Sequence, residues 1–487
     1  MFLVLMLAAA LALAVWAWTS TRRPSWCPPG PPLVPWIGNL LSLDPARPER
    51  SYAAWAARYG PIYHVRLGAL QQVVLSDPLL IREAFSRAEI SARPDTAINT
   101  FIVDRSGLIC SSGELWRETR RFTLHHLGSL GMGKTSLEPY IQRQVSAFME
   151  RVLEPSCGAP LSLDTPLNSA IINIIWRLVA SEEVDITDDR MSGVLRRQGA
   201  IIGASARLVL LDTVPWLAPL LEPLLVDKKH IAAEFGALLE ETFTPVLRRH
   251  RDTLPEDGDA PRDYMDAMLM EQRRRPELMT DWHMLMSVLH LFFAGSDTTA
   301  TTLRWALGFL CQRPDVQRRL QAELDAEVGR QRPPTLADRQ RLPFTEAVIL
   351  ETQRLGDLLP VLVPHQTTAP VTVGGYCLPA GVQVIGNVQA VHRSARYFAE
   401  PVQFRPERFI DAQGQFQPDK NVMAFSVGRR QCLGESLARA ELFLFLTAFL
   451  QKFSFCWPEG DQQEMAEDPK YHLVRCPLPF KLVPELR

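Results

Sequence analysis

The stretch from Asp281 to Arg313 constrains the fold more than any other part of the chain. Apolar residues occur on nearly all sides of a helix drawn through it, so the sequence predicts a buried helix rather than a surface helix. At ~1.5 Å per residue, such a helix is about 50 Å long and would cross a whole domain. The rest of the chain must therefore supply a largely helical core that covers it.

The centre of this stretch contradicts the pattern around it. The run Ala294-Gly295-Ser296-Asp297-Thr298-Thr299 combines a glycine, which costs roughly 1 kcal/mol inside a helix, with an acid and hydroxyls that form helices poorly. A buried acid is also costly unless it has a partner. Such local conflicts mark functional sites, although a capping cluster between two shorter helices would also explain these residues.

The chain has 487 residues, of which 47% are hydrophobic and 22% charged, as in ordinary globular proteins. Its 52 Lys and Arg residues against 54 Asp and Glu leave no basic excess, so nucleic acid is not the expected partner. Eight cysteines lie far apart without a CxxC pair, which fits neither a disulfide framework nor a zinc site. We expect them to be buried thiols, apart from Cys432.

Periodicity predicts a mostly α protein with small β-sheets. Helical patterns dominate from about 112 to 354 and again at 435–452. Strand-like segments lie near both ends of the chain, at 62–67, 71–75, 371–373, 382–385 and 471–483.

The amino end predicts a membrane anchor. Residues 2–18 are an uncharged apolar run of 17 residues, at the short limit for a membrane-spanning helix. No Lys or Arg precedes the run, whereas Arg22 and Arg23 follow it, which argues against a cleaved signal peptide and places the following chain in the cytosol. We predict a single transmembrane signal anchor at 1–20, a proline-rich linker at 21–32 and one large domain at 33–487.

A cysteine near the carboxyl end lies in an unusual setting. Residues 425–434 read F-S-V-G-R-R-Q-C-L-G and lead directly into a helix-forming segment. The adjacent arginines and the helix amino end should lower the pKa of the Cys432 thiol, which favours a thiolate that acts as a nucleophile or binds a metal. A catalytic cysteine would need a histidine base, which the local sequence does not offer.

Glu351 and Arg354 form an i,i+3 charge pair after an apolar run. A pair of this kind is usually a surface salt bridge that contributes little to stability. The segment F-R-P-E-R-F at 404–409, which contains Arg408, lies between this pair and Cys432.

These motifs together resemble the cytochrome P450 superfamily. The residues around Cys432 match its haem-binding signature F-x-x-G-x-R-x-C-x-G at every fixed position, and A-G-S-D-T-T at 294–299 resembles its oxygen-activation motif. The pair at 351–354 and the segment at 404–409 resemble the ExxR motif and its partner. W-R-E-T-R-R-F at 116–122 and G-M-G-K at 131–134 are similar to segments of the microsomal family-two enzymes. The resemblance covers essentially the whole chain and implies a cytochrome P450 fold.

The resemblance also implies roles for particular residues. Cys432 would bind the iron of haem b as an axial thiolate, Asp297 and Thr298 would organise proton delivery, and Gly295 would let a ligand approach the helix backbone. A buried structural network would consist of Glu351, Arg354 and Arg408. The haem propionates would be contacted by Arg93, Trp116, Arg120, His365 and Arg430, and guanidinium groups suit carboxylates on chemical grounds alone.

The implied function is a monooxygenase that inserts one atom of O2 into a hydrophobic small molecule, such as a fatty acid, steroid or xenobiotic. Largely apolar segments at 93–108, 201–221, 292–295, 359–364 and 471–474 would line the substrate pocket. The chain has no flavin or nicotinamide motif. Electrons from NADPH would therefore come from NADPH–cytochrome P450 reductase, with cytochrome b5 as a second candidate partner. Candidate docking residues are Arg120, Arg121, Lys134, Arg429 and Arg439.

The predicted location is the endoplasmic reticulum membrane, with the large domain facing the cytosol. Three other functions remain open: a haem-thiolate isomerase or lyase that needs no reductase, a non-catalytic haem-binding sensor, and a structural membrane protein with a fortuitous signature. Relatives of the isomerase and lyase type tend to lack the acid–threonine pair, so Asp297 and Thr298 favour the monooxygenase.

Overall fold

The structure of the protein, a computed structural model, describes residues 1, 6, 8, 11, 15, 17, 19–101, 103–256, 259–461, 463–469 and 474–487. This part of the chain contains α1 (Pro48–Tyr59), α2 (Pro78–Ser86), α3 (Ala97–Phe101), α4 (Gly107–Cys110), α5 (Gly113–Ser129), α6 (Glu138–Phe148), α7 (Asp164–Ala180), α8 (Asp189–Thr213), α9 (Ala218–Leu225), α10 (Lys228–Leu238), α11 (Thr244–Asp252), α12 (Tyr264–Arg274), α13 (Asp281–Gln312), α14 (Pro314–Glu327), α15 (Pro343–Gly356), α16 (Val388–His392) and α17 (Glu435–Lys452). Its strands are β1 (Ile62–Leu67), β2 (Leu70–Leu75), β3 (His365–Gln366), β4 (Val371–Val373), β5 (Tyr376–Leu378), β6 (Gln383–Gly386), β7 (Phe453–Cys456) and β8 (Val483–Leu486).

The strands of this part of the chain form three sheets, and their small size agrees with the prediction of a mostly α protein with small β-sheets. A four-stranded sheet has the order β1-β2-β6-β3, in which β2 and β6 are parallel, and β4-β5 and β7-β8 are antiparallel pairs. The hairpin between β1 and β2 turns at Gly68, whose φ of 59° favours glycine. A Cβ at this position would lie 1.8 Å from the carbonyl oxygen of Thr213. The missing side chain thus lets the hairpin tip rest on the end of α8.

The strand prediction for the carboxyl tail is wrong over most of its described length. Only isolated bridges occur at Pro477 and Leu482, and the strand itself begins at Val483. Pro477 and Pro479 have no N–H to donate to a ladder, which explains why the apolar character of this segment does not produce a strand. Residues 471–473 of the predicted strand lie outside the described part of the chain.

The helix α13 runs without interruption from Asp281 to Gln312 and begins with the hydroxyl of Thr280 accepting from the backbone N–H of His283. The alternative of two shorter helices is therefore excluded. The largest apolar core surrounds it, with contributions from α7, α15 and α17. Gly295 faces α7, where a Cβ would lie 3.2 Å from a side-chain carbon of Ile175. The expectation that Gly295 opens space for a ligand is wrong, because its missing Cβ allows close helix packing instead.

The predicted anchor at 1–20 falls largely on residues outside the described part of the chain. Within that part, no helix combines the length and the apolar character that crossing a membrane requires.

Glu351 and Arg354 lie side by side on α15 and are both completely buried. The Arg354 guanidinium donates to both carboxylate oxygens, over 2.7 and 2.8 Å, and Arg408 donates its Nε–H to Glu351 Oε1 over 3.1 Å. The backbone N–H of Arg405 also donates to Oε1 over 2.8 Å. One carboxylate therefore meets two cations and a backbone donor, away from water.

We predict that Arg354→Ala prevents the accumulation of folded protein. Removing one partner of a buried ion pair costs about 3–5 kcal/mol, and a domain's whole stability is about 5–15 kcal/mol. The measurement is the yield of soluble protein and its melting temperature. The matched control is Arg330→Ala, which removes an exposed pair with Asp325 and should change neither. Wild-type yield and melting of the Arg354 variant would contradict a structural role.

Candidate functional site

The middle of α13 has a face that the rest of the described chain leaves uncovered. Ala294 is exposed and Thr298, one turn later on the same face, is partly exposed, although α13 is mostly buried on both sides of this region. Nearer the start of α13, the short helix α4 covers this face. This face of α13 is covered by α4 near the start of the helix and is open at Ala294 and Thr298. An open helix face within the core of a protein is typical of a ligand pocket.

Cys432 lies in a tight loop just before α17. Its backbone N–H donates to the carbonyl of Phe425 over 2.9 Å, and the loop packs on the end of α2. This close approach requires Gly428, which has a φ of 76° and whose Cβ would lie 2.1 Å from the carbonyl oxygen of Phe85. The Cys432 side chain has exposed surface even though protein atoms surround it, as expected of a group on the wall of a recess.

The predicted lowering of the Cys432 pKa is wrong. Burial raises the pKa of its thiol, and the opposing effects of the Gly434 backbone N–H and the Arg120 charge are smaller. Arg429 and Arg430, which precede Cys432, donate instead to carbonyl oxygens of distant segments. A raised pKa does not argue against metal binding, because a metal ion displaces the thiol proton when it binds.

Three of the predicted propionate contacts form a cationic cluster. Arg430 donates to the carbonyls of Ser91 and Ser111 over 2.9 and 2.6 Å and lies over the ring of Trp116, with its guanidinium carbon 3.9 Å from the ring centre. Arg93 donates to the carbonyls at 363 and 364 over 2.8 and 2.9 Å. Arg120 donates to the carbonyl at 431 over 2.7 Å.

None of these three guanidinium groups pairs with a carboxylate of the described residues; their hydrogen bonds go to neutral carbonyls. Burial, reinforced by the charges of Arg93 and Arg120, lowers the pKa of Arg430 to about 8, and burial lowers that of Arg93 to about 10. The site therefore has a deficit of negative charge. A group with two carboxylates and a metal that binds thiolate supplies what this site lacks, so the residues fit the haem that the sequence implies.

His365 lies next to this cluster but offers it no donor. The ring is buried, stacks on Phe85 at a centroid distance of 3.9 Å, and has Nδ1 2.8 Å from the carbonyl oxygen of Ile90. A carbonyl only accepts, so Nδ1 carries the proton. Burial and the charge of Arg93 hold the pKa of His365 well below its usual range. Its Nε2 therefore accepts, which suits water or a protonated carboxyl group better than a carboxylate.

Asp297 and Thr298 are adjacent in sequence but face different neighbours. The Thr298 hydroxyl donates to the Ala294 carbonyl over 2.8 Å, on the open face of α13. Asp297 accepts a weak hydrogen bond from the Thr301 hydroxyl at 3.4 Å. Burial raises the pKa of Asp297, and the opposing charge of Arg304, which pairs with an aspartate of α7, is a smaller effect. Asp297 thus retains a proton to a higher pH than an ordinary aspartate.

The residues predicted to dock the reductase differ in whether a carboxylate neutralises their charge. Arg121 pairs with Glu118 over 2.7 Å and Arg439 with Glu435 over 2.8 Å, so part of their charge is neutralised. Lys134 and Arg429 remain exposed.

Sequence reasoning missed three buried polar residues near α13. Glu441 of α17 is almost completely buried, and its Oε1 has no partner in the described part of the chain. Burial raises the pKa of Glu441 well above its usual range, and the hydrogen bond from the Thr299 hydroxyl opposes this shift only in part. His283 and His290 lie on the α4 side of α13. All three stand in strongly apolar helices, so the rule that identified Asp297 would have found them.

Comparisons with known proteins agree with this geometry. The family model described as Cytochrome P450 matches residues 28–484. The chain is 35% identical to cytochrome P450 2J3 of Rattus norvegicus over 94% of this chain and 91% of the relative. It is 36% identical to cytochrome P450 2D15 of Canis lupus familiaris over 96% and 95%, and 34% identical to cytochrome P450 2J2 of Homo sapiens over 91% and 88%. The chain therefore belongs to the cytochrome P450 family and is a haem-dependent monooxygenase whose haem is bound through a cysteine thiolate.

Proposed function

We propose that Cys432 is the cysteine that binds the haem iron, and that this site oxidises a hydrophobic small molecule of the fatty acid, steroid or xenobiotic class. The observation that carries the proposal is the accessible Cys432 thiol in a recess next to Arg120, one of three guanidinium groups without carboxylate partners in the described chain. Cys476 interacts with the charge of Asp297 on α13, but it is buried and its Sγ lies 3.8 Å from the Thr301 hydroxyl.

Haem bound by a thiolate supplies the activation of O2. The residues of the chain position the reactants and move protons. Arg93, Arg120 and Arg430 hold the propionates, and Asp297 takes up protons from solvent and passes them towards the open face of α13. The Thr298 hydroxyl, which lies on that face, orders the last step of this transfer.

Electrons come from NADPH through NADPH–cytochrome P450 reductase, and cytochrome b5 is a second candidate donor. The reductase docks on the side of the domain that carries Cys432. Of the candidate docking residues, Lys134 and Arg429 are exposed and have no carboxylate partner in the described part of the chain, whereas Arg121 and Arg439 already have carboxylate partners. Exposed charges of this kind chiefly accelerate encounter, and their effect should weaken at high salt.

The proposed location is the endoplasmic reticulum membrane, with residues 1–20 as a single-pass anchor, 21–32 as the linker and the catalytic domain, 33–487, in the cytosol. Large apolar side chains are exposed near the linker, at Trp36 and Leu41, and around α9, at Trp216, Leu220 and Leu224. The tip of the β1-β2 hairpin contacts both regions, because the backbone N–H of Gly68 donates to the carbonyl of Ile37 over 2.9 Å and that of Ala69 donates to the carbonyl of Thr213 over 2.8 Å. Together they form an apolar surface suited to a membrane.

We predict that Cys432→His loses the red-shifted Soret band of the ferrous carbonyl complex while some haem remains bound, because imidazole is also an iron ligand. The measurement is the carbonyl difference spectrum together with total haem. Cys476→Ala is the matched control and should keep the band. A normal band in the Cys432 variant, or its loss in the Cys476 variant alone, would contradict the assignment.

We predict that Thr298→Ala binds haem and substrate and consumes NADPH, but releases hydrogen peroxide at the expense of product. Positioned proton transfer contributes ~10²–10⁴-fold, so the loss of coupling should be large. Asp297→Asn should slow turnover more than it changes the ratio of hydrogen peroxide to product. Product, peroxide and NADPH are quantified together in a system reconstituted with reductase.

The control for this experiment is Thr302→Ala. Its hydroxyl makes an equivalent 2.8 Å hydrogen bond to the Thr298 carbonyl, but the residue is buried. Coupling should be unchanged in this variant. Wild-type coupling in Thr298→Ala would show that the hydroxyl does not organise the proton supply, and turnover without NADPH would favour the isomerase or lyase.

We predict that deleting residues 2–20 leaves a haem-loaded protein with a normal carbonyl spectrum that still associates with membranes, now through the apolar surface. Adding Trp216→Ser, Leu220→Ser and Leu224→Ser should abolish that association. Leu79→Ser with Val402→Ser, which are equally exposed elsewhere, is the control and should not. Sedimentation with membranes after a high-salt wash measures each form. Complete extraction of the full-length protein by salt would contradict the anchor.

A further inference from the structure

One hydroxyl of α13 is arranged differently from its neighbours. The hydroxyls of Ser287, Thr298 and Thr302 each donate over 2.8 Å to the backbone carbonyl four residues earlier, as hydroxyls inside helices commonly do. The Thr301 hydroxyl also reaches back four residues, but it donates to the side chain there, Asp297 Oδ1, at 3.4 Å. Because no backbone carbonyl holds this hydroxyl, it is able to change the direction in which it donates.

The second contact of this hydroxyl is the thiol of Cys476. The Sγ atom lies 3.8 Å from Thr301 Oγ1, and both residues are buried. The backbone fixes the thiol at this place. The Cys476 carbonyl accepts from the backbone N–H of Asp468 over 2.9 Å, and the carbonyl before it accepts from Trp305 Nε1 over 3.0 Å. The acid, the hydroxyl and the thiol therefore form a continuous chain of contacts.

The direction of donation in this chain depends on whether Asp297 is ionised. Burial raises the pKa of the Cys476 thiol to about 12, so the sulfur keeps its proton at physiological pH. When Asp297 is a carboxylate, the Thr301 hydroxyl donates to it, and the hydroxyl oxygen is free to accept from the thiol. When Asp297 is protonated, its own proton goes to the hydroxyl oxygen, and the hydroxyl then donates to the sulfur.

Among the residues that the structure describes, no cation forms an ion pair with Asp297. Arg304 is the cation whose charge acts on this acid, but its guanidinium pairs with Asp164 of α7 over 2.6 Å. The charge of Asp164 disfavours ionisation of Asp297, and the charge of Asp468 disfavours ionisation of the thiol. The Thr301 hydroxyl is therefore the one hydrogen-bond donor that this part of the chain supplies to the Asp297 carboxylate.

We propose that Cys476 is a positioning residue for Asp297: its S–H donates to the Thr301 oxygen and so directs the single hydroxyl proton towards the carboxylate. This inference rests on the proposed role of Asp297 in proton transfer and deepens it. Each time Asp297 gives up its proton, the hydroxyl turns from the sulfur to the carboxylate, and the thiol donates to the hydroxyl oxygen. A hydrogen bond to the ionised form of an acid favours that form. The thiol therefore helps Asp297 to release its proton.

The infrared S–H stretching band of Cys476 reports this direction, because a thiol that donates absorbs at a lower wavenumber than one that does not. Each band is isolated as the difference between a haem-loaded protein and the same protein with Cys476→Ala. Cys476→Ser is the reference if the alanine variant does not fold. In the wild-type protein the band should move to lower wavenumber as the pH rises and Asp297 ionises. Asp297→Asn should abolish this movement, and Thr301→Val should keep the band at the higher position at every pH.

The pH dependence of turnover with reductase is the second readout, after haem content and the carbonyl band have been measured. A thiol is a weak donor, so Cys476→Ala should raise the pKa that governs turnover by about half a pH unit, the low end for a neutral hydrogen bond. Cys476→Ser keeps a donor and should restore the wild-type profile. The matched control is Cys311→Ala, which removes another buried thiol, at the end of α13. It should change neither the profile nor the Cys476 band.

A Cys476 band at the same position in the wild-type protein and in Thr301→Val would overturn the proposal, and so would a wild-type band that does not move with pH. A wild-type pH profile in Cys476→Ala, or an alanine-like profile in Cys476→Ser, would also overturn it. The proposed role of Asp297 fails separately, if Asp297→Asn turns over at the wild-type rate. In that case the infrared band of Thr301→Val still decides whether the thiol donates to the hydroxyl.

Discussion

The Glu351 carboxylate joins α15 to the segment of chain that leads towards Cys432. It accepts from Arg354, Arg408 and the backbone of residue 405, and Arg354 extends the network by donating to the carbonyls at 392, 401 and 403 over 2.6, 2.7 and 3.2 Å. The chain between α16 and α17 contains no long helix or strand, so these hydrogen bonds replace secondary structure there. The attraction between buried charges offsets their desolvation only when every partner is present. Loss of any one partner should therefore disrupt the whole network.

A second buried chain of hydrogen bonds continues from this network to the cysteine loop. His392 Nδ1 lies 3.0 Å from a carboxylate oxygen of Asp357, at the end of α15, and His392 Nε2 accepts from the backbone N–H of Met423 over 3.0 Å. Met423 in turn accepts from Ser426, whose φ of 60° begins the turn towards Cys432. The position of the thiol therefore depends on α15, through contacts that involve none of the fixed positions of the signature around it.

The sequence was sufficient for the features that depend on local pattern. The unbroken α13, the hairpin β1-β2 and the bounds of α17 follow from periodicity, and the Glu351–Arg354 spacing placed both groups on one helix face. The directions of Arg429 and Arg430 could not be predicted, because Arg430 donates to carbonyls 339 and 319 residues earlier in the chain. The direction of the Cys432 pKa shift was predicted wrongly for the same reason. The prediction used the charges of residues adjacent in sequence, whereas burial, which depends on the tertiary structure, has the largest effect on the pKa.

The helix α4 shows why the three arginines of the cationic cluster and the open face of α13 cannot be treated separately. A helix of four residues satisfies few of its own backbone groups. Its N–H groups donate to His283 and His290 of α13, while the carbonyl of Ile109, within it, and that of Ser111, just after it, accept from Arg93 over 3.2 Å and from Arg430 over 2.6 Å. The short segment from Gly107 to Ser111 is thus held by α13 on one side and by the cationic cluster on the other.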